Sequence, residues 1–306
     1  MEHIPVLRHE AIDGLNLRAG KTYVDGTFGR GGYTKEILKR CPDCRLVALD
    51  QDPTAEEAAR NLQKQGCKFD FIRTKFSQMR DALNTLGISN VDGIVLDIGI
   101  SSPQVDKPER GFSFQQDGPL DMRMSMEGQT AADVVNSLSI EELARIIREY
   151  GDEKRSYYVA KAIEEARKIK PIETTTELAK IVRSEVRRDF ASNIDGATRT
   201  FQALRIYVNN ELSELEKVLV EGKSLLNPGG RFAVVSFHSL EDRIVKSFFK
   251  RLVGEDQVSS RHLPFDIFEE KAEFKFVKKG SIKPTEEEIK NNPRARSARL
   301  RVVEKI

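Results

Sequence analysis

The sequence is poor in cysteine, has no tryptophan and contains no long apolar run. Its three cysteines are an odd number in a chain of 306 residues, which argues against a disulfide framework and for a reducing compartment. No apolar run approaches the roughly 18 to 20 residues that a membrane span needs. Residues 1–10 lack both the apolar core of a secretory signal and the acid-poor, Arg/Ser-rich character of a transit peptide. These absences predict a cytoplasmic protein with no membrane partner.

An excess of charge of one sign is also missing. The chain has 50 Lys+Arg against 48 Asp+Glu, a formal net charge of +2, and 39% of its residues are hydrophobic. Disordered chains combine low hydrophobicity with high net charge, so this composition predicts a folded protein. At about 100 to 200 residues per domain, the length fits one large domain or two ordinary ones.

Candidate metal ligands are scarce. Cys41 and Cys44 have the CxxC spacing of a zinc or redox site, and Cys67 is the third cysteine. A structural zinc site needs four ligands, usually as two such pairs. The four histidines of the chain supply no second pair. We therefore predict no metal and interpret Cys41 and Cys44 as two ordinary thiols in a loop.

The order of short apolar segments predicts a parallel α/β sheet. Strand-like segments alternate with a glycine-rich turn and helical stretches, and several of them close on an acid. The predicted strands are 22–25, 45–50, 68–73, 91–98, 231–237, 273–279 and 298–304. The fourth is a continuous apolar run, as expected where both faces of a parallel sheet are covered. A polar surface helix is predicted over 54–65.

A long stretch separates the fourth predicted strand from the fifth. One βαβ unit takes about 30 residues, and leucine and valine at helical spacing over 200–226 already predict its crossover helix. A helix stop and turn follow at 227–230. The residues between these strands that one βαβ unit does not need predict an inserted α-helical domain, 107–198. It separates a first part of the sheet domain, 1–106, from a second part, 199–306. The predicted helices of the insertion are 140–150, 154–169 and 176–190.

A glycine-rich turn, DGTFGRGG at 25–32, follows the first predicted strand. Ligands of open α/β sheets bind at the carboxyl ends of the strands, and glycines let a ligand approach the backbone there. Asp50, about 20 residues downstream, is placed to accept hydrogen bonds from ribose hydroxyls. A dinucleotide turn reads G-x-G-x-x-G, but counting from Gly29 puts Thr34 at the third glycine. The acid-flanked turn instead suits a nucleoside ligand with a cationic centre, such as S-adenosylmethionine.

Seven motifs follow one another over nearly the whole chain. They are DGTFGRGG (25–32), DIGISSPQ (97–104), ERGFSF (109–114), DGPLDMRM (117–124), ATRTFQA (197–203), SFHSLEDR (236–243) and NPRARS (292–297). In this order they resemble the MraW/RsmH family, the bacterial ribosomal RNA small-subunit methyltransferases H. The resemblance implies a class I S-adenosylmethionine-dependent methyltransferase with a Rossmann-like sheet. It also implies methylation of the N4 amine of a cytosine in the decoding region of 16S rRNA, with the small ribosomal subunit as partner.

The family's cofactor contacts carry over to this chain where the motifs align. The resemblance assigns S-adenosylmethionine to Gly31, Gly32, Tyr33, Asp50, Phe76, Asp97 and Gln104. Many family members have histidine where this chain has Tyr33. A backbone contact would survive that exchange, whereas a side-chain role for Tyr33 is open.

The chemistry of the acceptor points to the end of the fourth strand. A cytosine exocyclic amine is a poor nucleophile because its lone pair is delocalised into the ring. An enzyme must offer acceptors that favour the transition state and hold the amine in line with the methyl group. Asp97 and Ser102 are the predicted catalytic residues because they lie at the end of this strand and in the loop after it, at the ligand edge. Methylation at C5 would need a cysteine nucleophile, and the three cysteines precede strands, at the opposite edge of the sheet.

Several candidate residues also have a structural interpretation. For Ser239 we favour the role of N-cap of the next helix, with Asp242 completing a capping box. Phe112 and Phe114 either stack on an extruded base or anchor their loop as core residues. The segment 117–124 is either a lid or structural turn chemistry.

Other functions and the RNA contacts stay open. A dinucleotide oxidoreductase is weakened by the missing third glycine, and an RNA-binding assembly factor would bind RNA without turnover. The insertion is not uniformly basic, but two arginine clusters are candidates for phosphate contacts. They are Arg183, Arg187 and Arg188, and Arg294, Arg296, Arg299 and Arg301. The pattern does not distinguish an RNA-binding face of the insertion from one that forms a homodimer.

Overall fold

The computed structural model describes residues 5–186, 195–255 and 272–306. The chain divides into two compact units. The first unit combines Met1–Gly99 with Ser213–Ile306, and the second is Ile100–Leu212. The predicted insertion, 107–198, lies inside the second unit, and its role as a separate functional domain stays a prediction.

One seven-stranded sheet forms the centre of the first unit. Its strands are β1 (Thr22–Asp25), β2 (Arg45–Asp50), β3 (Asp70–Arg73), β4 (Val91–Asp97), β5 (Leu226–Ser236), β6 (Phe274–Phe276) and β7 (Arg299–Lys305). The strand order is β3-β2-β1-β4-β5-β7-β6, parallel from β3 to β5, with β7 antiparallel to both of its neighbours. This is the α/β, Rossmann-like class I methyltransferase sheet that the resemblance implies, so the predicted fold class is confirmed.

The α-helices of the described residues complete both units. They are α1 (Arg8–Leu15), α2 (Gly32–Arg40), α3 (Thr54–Lys64), α4 (Met79–Thr85), α5 (Ser102–Asp106), α6 (Ala131–Ser137), α7 (Ile140–Gly151), α8 (Ser156–Ile169), α9 (Thr175–Glu185), α10 (Thr198–Asn209), α11 (Glu211–Leu225), α12 (Ser239–Leu252) and α13 (Glu286–Asn291). Short 3₁₀ helices occupy Phe76–Gln78, Pro108–Arg110 and Pro293–Ser297. Within the described ranges, every helix is too short or too polar to cross a membrane.

Helices cover both faces of the sheet in the first unit. On one face α4, α11 and α12 bury Leu83, Leu219 and Phe249 in a common core. On the other face α1 and α2 bury Ile12 and Ile37 in a second core. Because side chains alternate between the faces of a strand, apolar residues are needed at nearly every position of a strand covered on both sides. This explains the continuous apolar run of β4, whose centre is fully buried.

The second unit has a core of its own, formed by helices α6 to α10. Helix α7 packs against α8 and α10. Three of these helices begin with a capping box, in which a Ser or Thr and an acid three residues later bond each other's backbone N–H groups. The pairs are Thr130 with Asp133, Ser139 with Glu142, and Thr174 with Glu177. Such caps satisfy backbone donors that the first helical turn leaves open.

Two local predictions are wrong. The single crossover helix predicted over 200–226 is two helices, because Asn210 between α10 and α11 has a left-handed φ of 54°. Asparagine adopts this conformation more readily than most residues. The turn predicted at 227–230 is instead part of β5, and the register of β4 against β5 shifts between Val91 and Gly93 beside it.

The predicted helix 176–190 corresponds to α9, which ends at Glu185. The last four residues of the predicted helix lie outside the described ranges.

Candidate active site

Three acids end neighbouring strands of the first unit. Asp25 is the last residue of β1, Asp50 of β2 and Asp97 of β4. The strands are parallel and lie side by side in the order β2-β1-β4. Their carboxyl ends therefore meet at one edge of the sheet, where open α/β folds bind ligands.

The glycine-rich turn between β1 and α2 lies at the same edge. Gly31 is the N-cap of α2 and has a φ of 76°, a left-handed conformation that favours glycine. A β-carbon on Gly31 would also lie 2.4 Å from Leu62 Cδ1. The N–H of Gly29 donates to Asp50 Oδ2 at 2.7 Å. The turn is thus a tightly packed loop that is hydrogen-bonded to the end of β2.

Asp50 retains hydrogen-bonding capacity beyond its contacts with the turn. Besides the bond from Gly29, its Oδ1 accepts the N–H of Asp52 at 2.8 Å. Burial raises the pKa of Asp50 to about 6, so the group is mainly ionised at neutral pH. A carboxylate has about four lone-pair sites, and two backbone donors leave sites for ligand hydroxyls.

Asp25 is fully buried and holds the glycine-rich turn through hydrogen bonds. Its Oδ2 accepts the hydroxyl of Thr34 at 2.7 Å, and its Oδ1 accepts the N–H of Thr27 at 3.3 Å. Burial raises its pKa to about 6. Since both oxygens are engaged inside the protein, Asp25 contributes charge to the edge rather than a direct contact.

Asp97 has a carboxyl oxygen that finds no partner in the described part of the chain. Its Oδ1 is shielded from solvent and makes no hydrogen bond to the described residues. Its backbone N–H donates to the hydroxyl of Thr27 at 2.7 Å. Burial, and then the negative charges of Asp25 and Glu241, raise the pKa of the Asp97 carboxyl to about 8. A buried polar atom of this kind is costly unless something pairs with it.

Glu241 is a site residue that the sequence analysis missed. It is fully buried in the first turn of α12, and its Oε2 accepts the N–H groups of Phe237 and His238 at 2.8 and 3.2 Å. His238 is therefore the N-cap, with Nε2 3.0 Å from Glu241 Oε1. The signal was present in the motif SFHSLEDR, where a glutamate stands three residues after histidine.

The cap predicted from Ser239 and Asp242 is consequently displaced by one residue. Ser239 is the first helical residue of α12 rather than its cap. Asp242 accepts two hydrogen bonds from Arg301, at 2.8 and 3.0 Å. Arg301, one of the arginines considered for phosphate binding, is thereby engaged within the first unit.

Tyr33 and Phe76 flank the glycine-rich turn in different ways. The ring of Tyr33 is 3% exposed within the apolar core, and its hydroxyl donates to the carbonyl of Val6. This arrangement leaves the backbone of Tyr33 as its route to a ligand. Phe76 is half-buried against the other core, with its Cβ 3.7 Å from the position of a β-carbon on Gly26.

The remaining two predicted site residues belong to the second unit. Gln104 is 4% exposed, and its Oε1 accepts the N–H of Ser101 at 2.9 Å in the capping box of α5. Ser102 is the first residue of that helix, and its side chain lies outside the described part. Gly31, Gly32, Tyr33, Asp50, Phe76 and Asp97 all belong to the first unit.

The two phenylalanines considered for base stacking pack inside the second unit. Phe112 is 9% exposed, and Phe114 contacts Phe201 with ring centroids 4.7 Å apart. Arg183 lies over the Phe114 ring and forms a two-bond pair with Asp195. These contacts favour the interpretation that both rings anchor their loop.

The segment 117–124 is packed as structural turn rather than as a free lid. Leu120 and Met122 are buried in the core of the second unit, and the N–H of Leu120 donates to the carbonyl of Glu173 at 2.8 Å.

Two of the arginines considered for phosphate contacts, Arg187 and Arg188, lie outside the described residues.

The cysteines occupy the opposite edge of the sheet. Cys41 and Cys44 precede β2 and are buried as free thiols, and Cys67 precedes β3. Burial, and then the neighbouring Cys41, raise the pKa of the Cys44 thiol to about 12. Because the thiolate is the reactive form, Cys44 is unsuited to nucleophilic or redox chemistry at neutral pH.

Comparison with known proteins gives one consistent family. The chain matches the model of the MraW methylase family over residues 1–306. Ribosomal RNA small subunit methyltransferase H of Paramagnetospirillum magneticum is 52% identical over 301 residues, which cover 98% of this chain and 94% of that protein. The protein of the same name from Ehrlichia chaffeensis is 50% identical over 307 residues, covering 99% and 100%. The solved structure of an rRNA methylase from Streptococcus thermophilus has a TM-score of 0.44 and 11% identity, covering 100% and 99%.

Proposed function

The chain belongs to the MraW methylase family, and on that basis we propose that it transfers a methyl group from S-adenosylmethionine to the N4 amine of a cytosine in the decoding region of 16S rRNA. The names of its relatives support small-subunit ribosomal RNA as the substrate. The resemblance of the seven motifs supports the N4 position. The observation that carries the proposal is the shielded Oδ1 of Asp97, which has no partner among the described residues.

The acids at the sheet edge fit S-adenosylmethionine. Asp50 would hold the ribose hydroxyls with the lone pairs that its two backbone donors leave. The negative charge of Asp25 suits a ligand that carries a positive sulfonium. A bound cation also favours the ionised form of Asp97. The Oδ1 of Asp97, which has no partner in the described ranges, is an acceptor that the bound ligands can use.

The turn and its neighbours supply the remaining contacts. The backbone of Gly31, Gly32 and Tyr33, at the N-cap and first turn of α2, would contact the ligand. Phe76, beside the turn, offers an aromatic face to the adenine ring. The family motifs also assign Gln104 to the cofactor.

The chain's chemical task is to orient the cytosine amine and take its proton. S-adenosylmethionine supplies an electrophilic methyl group when bound. Ionised Asp97 accepts a hydrogen bond from the amine and then keeps the proton that the amine loses. A pKa of about 8 is close to neutral pH, where a general base can accept a proton and release it again. Ser102 is assigned as a second polar group that orients the amine.

RNA binding is shared with the second unit. The inserted part, 107–198, extends the protein surface available to the rRNA, and the sheet domain, 1–106 with 199–306, carries the cofactor. The substrate is 16S rRNA within the small ribosomal subunit, in the cytoplasm. A target base held in structured RNA has to leave its stack before its amine reaches the enzyme.

The test is transfer of labelled methyl from S-adenosylmethionine to small ribosomal subunits that lack the modification, with mass spectrometry of the nucleosides. We expect label in N4-methylcytidine and no transfer by Asp97→Ala. Label in another nucleoside would refute the N4 assignment. Binding of cofactor and RNA without any methylated nucleoside would support the assembly-factor alternative.

A further inference from the structure

Two adjacent aromatic rings are exposed at the start of α8 in the second unit. Tyr157 and Tyr158 are each 55% exposed. Their ring centroids are 6.1 Å apart and the rings are nearly perpendicular, at 81°. The next residues, Val159 and Ala160, turn into the core and are fully buried. The tyrosine rings therefore lie on the solvent side of an amphipathic helix, where core packing does not require them.

One cationic side chain contacts a tyrosine ring, and two more are close to the rings along the chain. The guanidinium carbon of Arg155 lies 4.9 Å from the centroid of the Tyr158 ring, and Nη2 of Arg155 is 3.2 Å from an oxygen of Glu185. Lys154 is exposed just before α8. Lys161 is exposed one turn after the tyrosines, and its Nζ is 3.9 Å from Glu165. Exposed ion pairs of this kind contribute little free energy, so Lys161 can exchange Glu165 for another anion at low cost.

We propose that this stacking surface, made of Lys154, Arg155, Tyr157, Tyr158 and Lys161, binds an unpaired segment of the RNA substrate. The inference rests on the proposed function, because it takes RNA as the substrate. Unpaired bases stack on tyrosine rings and on arginine planes, and both kinds of surface are present here. Phosphates of the same strand attract the two lysines.

The composition of the stacking surface favours RNA over a second protein. Protein–protein interfaces are enriched in tyrosine and arginine but depleted in lysine. Here Lys154 and Lys161 flank the rings on both sides along the chain. Single-strand RNA sites combine aromatic platforms with such positive charge as a rule.

The test measures the affinity of the full-length protein for fluorescently labelled, unmodified 16S rRNA by anisotropy. We expect Tyr157→Ala and Tyr158→Ala each to weaken binding about tenfold, the effect of losing one base–aromatic stack. Tyr157→Phe and Tyr158→Phe keep the aromatic face and should retain the affinity. The matched control is Ile169→Ala, which removes a 90% exposed apolar side chain from the other end of α8. Binding of S-adenosylmethionine should be unchanged in every variant.

The possible failures are distinguishable. Wild-type RNA affinity in the variant that combines Tyr157→Ala and Tyr158→Ala would refute RNA binding by the stacking surface. The proposed function would stand. If the unaltered protein neither binds nor methylates this rRNA, the proposed function fails and the inference fails with it. A concentration-dependent dimer in sedimentation that the double variant abolishes, with RNA affinity kept, would assign the surface to a second copy of the chain instead.

Discussion

The hydroxyl of Thr27 accepts a hydrogen bond from the backbone N–H of Asp97 at 2.7 Å. Thr27 lies in the glycine-rich turn after β1, whereas Asp97 ends β4. The backbone N–H of Thr27 donates in turn to Asp25 at 3.3 Å. One short side chain thus joins the turn to the strand end that carries the proposed catalytic carboxyl.

Replacing Thr27 by valine tests this connection. Thr27→Val keeps the shape of the side chain but leaves the N–H of Asp97 without its acceptor. We expect the free energy of unfolding to fall by about 1–3 kcal/mol, the cost of a buried donor without a partner, and methyl transfer to fall because Asp97 is less well held. Urea unfolding and the labelled methyl assay measure the two effects. Thr27→Ser keeps the hydroxyl, and an equal loss in that variant would contradict a role for the hydrogen bond.

The pKa of Asp97 predicts how cofactor binding depends on pH. Burial, and then Asp25 and Glu241, raise this pKa to about 8, so the free protein carries a neutral carboxyl below that pH and a carboxylate above it. A cationic ligand prefers the carboxylate. Affinity for S-adenosylmethionine should therefore rise toward pH 8, by up to about tenfold per pH unit, and level off above it. Calorimetric titration above about pH 7, where Asp25 and Asp50 are mainly ionised, checks this.

Asp97→Asn is the matched control for that titration, since it keeps the shape and removes the charge. The rise in affinity toward pH 8 should disappear, and its persistence would exclude Asp97 as the titrating group. The same variant has a stability consequence. The folded-state pKa of Asp97 is raised from 3.8 to about 8, so the native protein loses stability as pH rises through this window. Asp97→Asn should therefore raise Tm relative to the unaltered protein by an amount that grows up to about pH 8.

Asp50 should determine cofactor affinity through hydrogen bonds to a charged group. Asp50→Asn keeps one acceptor oxygen and should weaken binding of S-adenosylmethionine about tenfold, whereas Asp50→Ala should weaken it about a hundredfold. Equilibrium dialysis gives both affinities. The control is Asp43→Asn, at an exposed acid that precedes β2. Unchanged affinity in Asp50→Ala would remove Asp50 from the site.

Gly31 should tolerate no side chain. A β-carbon there would lie 2.4 Å from Leu62 and 2.8 Å from the Phe28 ring, at a φ of 76°. Gly66 has a φ of 92° but nothing within 4 Å of a β-carbon, so it provides a control with backbone strain alone. We expect Gly66→Ala to cost about 1–2 kcal/mol in free energy of unfolding and Gly31→Ala a further 1–3 kcal/mol or so from overpacking. Equal costs in the two variants would contradict the crowding at Gly31.

Local pattern determined the sheet and its ligand edge. Apolar runs, closing acids and a glycine-rich turn are features of neighbouring residues, so β1 and β2 have the bounds that the sequence predicts. The common edge of Asp25, Asp50 and Asp97 then follows from parallel strands joined by helices. The order of the motifs also indicated the family. The break between α10 and α11 at Asn210 was not predicted, because apolar residues continue at helical spacing across it.

Tertiary structure decided the properties that matter for chemistry. One oxygen of Asp97 has no partner among the described residues. The pKa of Asp97 is raised because folding removes water from the carboxyl and brings the charges of Asp25 and Glu241, distant along the chain, close to it. The same process buries the Tyr33 ring and exposes Tyr157. Sequence patterns report which face of an element is apolar. Desolvation, charge interactions and hydrogen bonds depend on atoms from several elements, so they exist only once the chain has folded.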